Sequence, residues 1–319
     1  MSDEIAERGL VCVFASSLEL TITIEQADEG DEIHVHPGGQ GFWIARMIDH
    51  LGEGVALCAP LGGESGNVIA SLIAQSGVAL VATHRQDESP VYVHDRRTGE
   101  RVIVAEQTDP GLSRHETDDL YSRTLETAIS SGLIVLTSRY RNAGIPDSFY
   151  SRLGSDLSSL DVKVVGDFHG PDLDAFLKEG RLDVLKVSLD DLRGDGLVDA
   201  TDDRTVAAAI SSLRKKGARA IVVSGGEAGK SLVSLEDQWY RVTQPTLQPA
   251  DFRGSGDSMT AGLAVGLHRG LAPQEMLKLG ASAGAANVVR RGLGSADAGL
   301  ADALGESVQI EEIADPNGA

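Results

Sequence analysis

Short apolar, β-rich runs alternate with helical patterns along this chain, and that alternation restricts its fold more than any other feature. The runs are "LVCVFA", "GVALCAP", "GLIVLTS", "VKVVGDF", "VLKVS" and "RAIVVSGG". Between them lie "GFWIARMIDHLG", "NVIASLIAQSG", "DDRTVAAAISSLRKKG" and "SMTAGLAVGLHRG". Unbroken apolar strands need cover on both faces, which a parallel sheet flanked by helices provides. Two segments depart from the rhythm. "TITIEQADEGDEIHVH" and "SPVYVHDRRTGERVIVAE" read as paired strands around glycine-containing turns. They predict a small antiparallel β flap, or lid, over residues 15–38 and 89–107. The expected fold is α/β, one three-layer domain over residues 1–319 with a mostly parallel central sheet. No internal repeat is evident, and the acidic tail from about Glu306 reads as loosely ordered.

Charge limits the partners. Lys and Arg number 28 against 48 Asp and Glu, a formal charge of −20. Such a surface repels nucleic acid and anionic membrane, so a phosphate-bearing ligand needs locally concentrated donors. Cys12 and Cys58 sit in apolar runs and read as buried small residues, without a disulfide framework. No charged-then-apolar leader and no run of membrane-spanning length is seen, which reads as cytoplasmic.

The stretch "DFRGSGDSMTAG", residues 251–262, carries the clearest chemistry. Gly254 and Gly256 flank Ser255 and free the backbone there, and the following residues suit a helix capped by Asp257 or Ser258. A turn feeding a helix start collects unpaired N–H groups and suits an anion. An acid at that point is explained if Asp257 accepts a proton while the N–H groups hold a phosphoryl group. The plainer alternative is a glycine turn with a capping aspartate. Other motifs give less. "SGGEAGKS" has only three residues between Gly225 and Gly229 and precedes an alternating, strand-like segment, which argues against a P-loop but leaves a glycine turn at a strand end that could line a nucleotide's phosphates. "PGGQGFWIARMIDHLG" has Ile44 where a dinucleotide fingerprint needs its last glycine. His34 and His36 share a strand face without an evident third ligand and read as a solvated face.

Taken together, "GGQG…ARMIDHLG…APLGGESGNVIASLIAQSGV", "EQTDPG", "LKVSLDDL", "SGGEAG", "DFRGSGDSMTAGLAVGL" and "AANVVRRGLG" resemble, in order, the PfkB (ribokinase-like) carbohydrate kinases. The likeness is greatest to the 1-phosphofructokinase and tagatose-6-phosphate kinase branch. It implies a ribokinase-like three-layer sandwich and ATP-dependent transfer of a γ-phosphoryl group to a hydroxyl. By that resemblance Gly254, Ser255 and Gly256 form the anion hole, and Asp257 is the general base. Lys186, Ser224, Gly226 and Gly229 match nucleotide-phosphate positions, and Asn287 falls in the segment bordering the base. ATP and Mg²⁺ are implied, with a monovalent cation left open.

The departures concern the metal and the sugar. The metal-supporting N-x-x-E pattern reads Ser188 and Asp191, two shorter oxygen donors that imply Mg²⁺ held through water. Gly38 and Gly39 match the glycine pair of the sugar pocket, and Glu19 stands for an aspartate. Gln40 and Trp43 replace a lysine and an asparagine, and Ser89–Pro90 replaces a threonine–arginine pair. The loop "TSRYRNAG" brings in Arg139 and Arg141. Loss of two cations predicts a neutral acceptor (a free sugar, polyol or nucleoside) stacked on Trp43, with Arg139 or Arg141 as the route by which a phosphorylated sugar would be recognised. Trp43 can equally be a core residue of its helix. Exposed flap edges predict a homodimer. The expectation is an ATP-dependent sugar or polyol kinase, and the alternative is a catalytically weak or inactive sugar- or nucleotide-binding sensor on the same scaffold.

Overall fold

The computed structural model describes residues 10–139, 144–225, 229–245, 247, 253–288, 294 and 296–318. Gly226 and Arg141 lie outside the described residues.

The apolar runs become strands of one sheet: β1 (Leu10–Phe14), β4 (Gly54–Leu61), β5 (Ala79–His84), β8 (Leu133–Thr137), β9 (Lys163–Asp167), β10 (Leu182–Ser188) and β11 (Ala218–Ser224). Strands β12 (Lys230–Leu235), β13 (Gln238–Thr243) and β14 (Gln309–Ile313) complete it. The order is β14-β13-β12-β11-β10-β9-β8-β1-β4-β5, ten strands in all. Pairing is parallel from β11 to β5 and antiparallel from β11 outward to β14.

Side chains alternate between two helical layers, as the two-residue period of a strand requires. Val11 and Val13 face a core built with α1 (Gln40–His50), α2 (Gly63–Ile73), α8 (Ser255–His268) and α9 (Pro273–Val288). Cys12 and Phe14 face the opposite core, built with α3 (Arg114–Ser131), α4 (Asp147–Ser159), α5 (Gly170–Leu177), α6 (Leu189–Gly194) and α7 (Asp203–Lys216). A last helix, α10 (Ala298–Gly305), adds Ala301 to the first core. Local signals fix the ends. Ser113 and Glu116 form a capping box at α3, and Gly132 closes that helix in the left-handed region at φ 69°.

The lid forms as two hairpins. Strands β2 (Glu19–Ala27) and β3 (Gly30–Gly38) pair antiparallel, as do β6 (Val91–Asp95) and β7 (Val102–Gln107). A parallel seam between β2 and β6 joins the hairpins into a four-stranded sheet, β3-β2-β6-β7. Its outer strands expose Ile33, Val102, Ile103 and Val104.

Two expectations are corrected. The tail after Glu306 is ordered: β14 pairs with β13 along its length, and Glu311 bonds Arg241 across the pair. An otherwise open sheet edge gains a partner for its backbone groups. At the glycine turn the helix begins earlier than expected. Gly254, left-handed at φ 71°, is the N-cap, so neither Asp257 nor Ser258 caps it. Among the described residues, no helix is long and apolar enough to cross a membrane.

The lid's last strand is tied down through a buried ion pair. Asp109, two residues past β7, receives both terminal nitrogens of Arg85 at 3.1 and 2.8 Å, and each side chain is 1 % exposed. Ser17 and the Gly111 N–H also donate to Asp109, while Arg85 donates to the Gly111 carbonyl. Removing one member leaves the other charge buried and unpaired, so Arg85→Ala is expected to cost about 3–5 kcal/mol. Urea denaturation measures this, and a loss near zero would show that the pair does not hold the lid.

Candidate active site

The site lies outside the carboxyl ends of the parallel strands, where open α/β sheets gather their functional groups. Three strand ends matter. β9 ends in Asp167, β10 carries Lys186 and ends in Ser188, and β11 ends in Ser224, beside Ser188 in the ladder. Above them sits the start of α8. The N–H of Ser258 makes the first helical bond, to the Gly254 carbonyl at 2.8 Å. The N–H groups of Ser255, Gly256 and Asp257 therefore precede the helical ladder and point out of its N-terminus. Glycine at 256 has a steric reason: a Cβ there would stand 2.6 Å from Lys186 Nζ. The Ser255 hydroxyl donates to the Gly284 carbonyl of α9 at 3.0 Å, which pins the turn from behind.

Lys186 is buried and shared. Its ammonium is 3.3–3.4 Å from both Asp167 oxygens, and Asp257 and Asp191 add to its negative surroundings. Burial disfavours its charge, but the three carboxylates outweigh that and hold its pKa above the ordinary lysine value. Thr260, one turn into α8, donates to Asp167 Oδ2 and so orients that carboxylate. Asp257 is half-buried at the cleft floor. Desolvation first, then the charge of Asp167, pushes its carboxyl up to about 7, while Lys186 and a hydrogen bond from the Gln40 side chain act in the opposite sense. The aspartate serves no cap. Asp167 did not figure among the expected site residues, although an acid ending the parallel strand "VVGD" was the available signal.

Other expected residues fall into two groups. Some reach the cleft. Glu19 pairs with Gly38 at the lid's base, and Gly39, at φ 106°, turns the chain into α1 so that Gln40 meets Asp257. Gly225 follows β11 and Gly229 precedes β12, both at positive φ, and Ser224 Oγ lies 3.4 Å from the Val187 carbonyl. Others are occupied by the fold. Trp43 is buried against Phe42 and His36 in the core, where it offers no open face. Asn287 donates to the Arg253 carbonyl at 2.6 Å and accepts from the Gly294 N–H at 2.7 Å, so it buttresses the glycine turn. Arg139 bonds Asp172, Asp147 and the Ile145 carbonyl, and its charge is neutralised there.

Ser188 and Asp191 form a reciprocal capping box on α6. Ser188 Oγ accepts from Asp191 N at 3.0 Å, and Asp191 Oδ2 accepts from Ser188 N at 2.8 Å. Only Asp191 Oδ1 remains outside the box, so these residues fit a divalent cation through one carboxylate oxygen with water and phosphate completing its shell. Among the described residues no three His, Cys, Asp or Glu side chains converge on a ready metal cage.

A cationic group unforeseen from the sequence lies where the lid meets the glycine turn. Arg101, just before β7, stacks over Tyr92 at 4.6 Å and approaches His94 Nδ1 at 3.5 Å. Its Nε is buried without a hydrogen-bond partner. Burial and the nearby charge of Arg253 lower the Arg101 pKa. Burial together with neighbouring cations lowers His94 to about 4 (Arg101, then Arg96) and His36 to about 4 (Arg46 foremost).

The family follows from comparison. The profile described as "pfkB family carbohydrate kinase" matches residues 8–298, and the chain belongs to that family. ATP-dependent 6-phosphofructokinase isozyme 2 of Escherichia coli (strain K12) is 27 % identical over 259 residues, which cover 80 % of this chain and 82 % of that protein. The crystal structure of E. coli phosphofructokinase-2 with potassium superposes with a TM-score of 0.81 at 24 % identity, covering 94 % of this chain and 98 % of that one. A structure described as possible 1-phosphofructokinase from Thermotoga maritima gives 0.82 at 17 % identity, covering 96 % and 100 %. The fold is the α/β fold of these phosphofructokinases, and the chain is a carbohydrate kinase by family.

The Asp257 environment sets a pH dependence with a definite sign. The native state keeps a proton that the unfolded chain releases between pH of about 4 and about 7, so this group's contribution to stability falls as pH rises through that window. Asp257→Asn is therefore expected to raise Tm relative to the unsubstituted protein at pH 8, with the difference vanishing near pH 3.5. Calorimetry at both values tests this, and a pH-independent difference would contradict it.

Proposed function

We propose that the chain is an ATP-dependent kinase that phosphorylates a hydroxyl of a phosphorylated sugar, with Asp257 as general base. The observation that carries this is the Asp257 carboxyl in the first turn of α8, uninvolved in capping and close to the buried Lys186 ammonium, where burial and Asp167 push it up to about 7. A base with that affinity for protons is matched to proton transfer at neutral pH. The N–H groups of Ser255, Gly256 and Asp257 hold the transferring phosphoryl group, joined by the buried Lys186 ammonium against Gly256. Bound ATP with its divalent cation would supply the γ-phosphoryl group and the neutralisation of its charge. Gln40 orients the base, and Asp167 keeps Lys186 charged and in place. Gly225 and Gly229, together with Ser224, line the nucleotide phosphates, and Asp191 supports the metal.

The acceptor reading revises the neutral one. Arg139 is committed to its own carboxylates, but Arg101, with its unpartnered Nε, stands with Arg46 and Arg253 around His36 and His94. Clustered cations in a chain of net charge −20 suit an anionic group. Relatives named 6-phosphofructokinase agree with a sugar phosphate. The exposed apolar residues of β3 and β7 favour a homodimer through the lid, and two free, buried thiols fit a cytoplasmic setting. The chain acts as one domain throughout.

Asp257→Asn is expected to lower kcat by roughly 10²–10⁴, with nucleotide affinity by calorimetry nearly unchanged. Near-normal turnover would remove Asp257 from the chemistry, and nucleotide binding without turnover in the unsubstituted protein would favour the sensor. Arg101→Ala is expected to raise KM for a phosphorylated sugar roughly tenfold or more, while leaving KM for the unphosphorylated sugar largely unaltered. Equal effects on both acceptors would return the assignment to a neutral substrate.

A further inference from the structure

His169 has no part in the chemistry derived above, yet it stands two residues beyond Asp167 with both ring nitrogens directed at carboxylates. Nδ1 lies 3.0 and 3.1 Å from the two oxygens of Asp195, which also accepts the Gly170 N–H at 2.8 Å. Asp195 therefore orients the ring from behind and holds Nε2 toward Asp191 Oδ1, 3.6 Å away. A carboxylate behind an imidazole whose other nitrogen faces a second oxygen is the arrangement that prepares a histidine to ligate a metal. One divalent ion fits between Nε2 and Oδ1 at ordinary bond lengths of about 2.0–2.2 Å. The two side chains are 40 % and 32 % exposed, so the position is open to solvent. Asp191 also belongs to the carboxylates that surround Lys186, which places it on the phosphate cleft.

We propose that His169 and Asp191 form a mixed nitrogen–oxygen subsite for the divalent cation that accompanies the nucleotide, and that this selects Mn²⁺ or Co²⁺ over Mg²⁺. The inference rests on the kinase reading. Mg²⁺ prefers an all-oxygen shell and dehydrates reluctantly, whereas imidazole favours later first-row ions. Two protein ligands leave the remaining positions to water and phosphate oxygens. Asp195 is a positioning residue: it holds the ring and does not touch the ion.

Electron spin-echo spectroscopy of Mn²⁺ bound with a non-hydrolysable ATP analogue tests this on the full chain. The expected result is a ¹⁴N coupling from a directly bound imidazole, lost in His169→Ala. The same variant is expected to weaken Mn²⁺ binding at least ~10-fold, with Mg²⁺ affinity changing less than about threefold because Mg²⁺ makes little use of nitrogen. His169 is partly exposed, and a thermal melt of the variant confirms that it folds. Nucleotide and Mn²⁺ bound without nitrogen coupling would overturn the subsite and leave the kinase reading standing. Failure of the analogue to bind with either metal would overturn both.

Discussion

One buried ammonium shared by two carboxylates organises this cleft. Asp167 and Asp257 arrive on different elements, the end of β9 and the first turn of α8, and Lys186 is the counter-charge they share. Lys186 in turn is tolerated at full burial only because carboxylates surround it. The glycine at 256 leaves room for Nζ, and Thr260 fixes Asp167 from the same helix. The sheet's strand ends, the helix start and the state of the base are therefore one electrostatic problem. The geometry that solves it also leaves the α8 N–H groups unpaired toward the cleft.

Parallel strand ends make such convergence possible. Each strand from β11 to β5 runs the same way, so loops carrying Asp167, Ser188 and Ser224 open on one rim. The lid then attaches at that rim through Gly38 and Gly39, and Gln40 follows immediately. The Arg85–Asp109 pair ties down the same end of the lid on its β7 side, because Pro37, Leu20, Val91 and Gln107 lie side by side across the four strands, whereas Arg101 precedes the far end of β7.

Much of the frame was legible in the sequence because it depends on local period: apolar runs of strand length, helical repeats between them, and glycine-bearing hairpins. The glycine turn feeding a helix was legible too, though not that Gly254 is the residue that caps it. The sequence is silent where a residue's contacts are set by distant partners. Nothing near Asn287 reveals that its amide is taken by Arg253 and Gly294, or near Arg139 that Asp172 and Asp147 neutralise it. Arg46, Arg101 and Arg253 come from a helix, a lid turn and the loop before α8, so their grouping around His36 and His94 has no sequence signature. The tail was misjudged because its acidic side chains hid the open edge of β13 awaiting a partner. Ser188 and Asp191 admit two readings at once, since the spacing that would support a metal also makes a capping box.

The account stands on the coupling of Asp257 to Asp167 through Lys186. Carbon-13 NMR of the Asp257 carboxyl across pH measures it directly, in the unsubstituted protein and in Asp167→Asn. The account predicts titration near 7 in the former and a clear downward shift in the latter, because the second-largest cause of the raised value has been removed while Lys186 remains. An Asp257 that titrates near 4 in both proteins would contradict it.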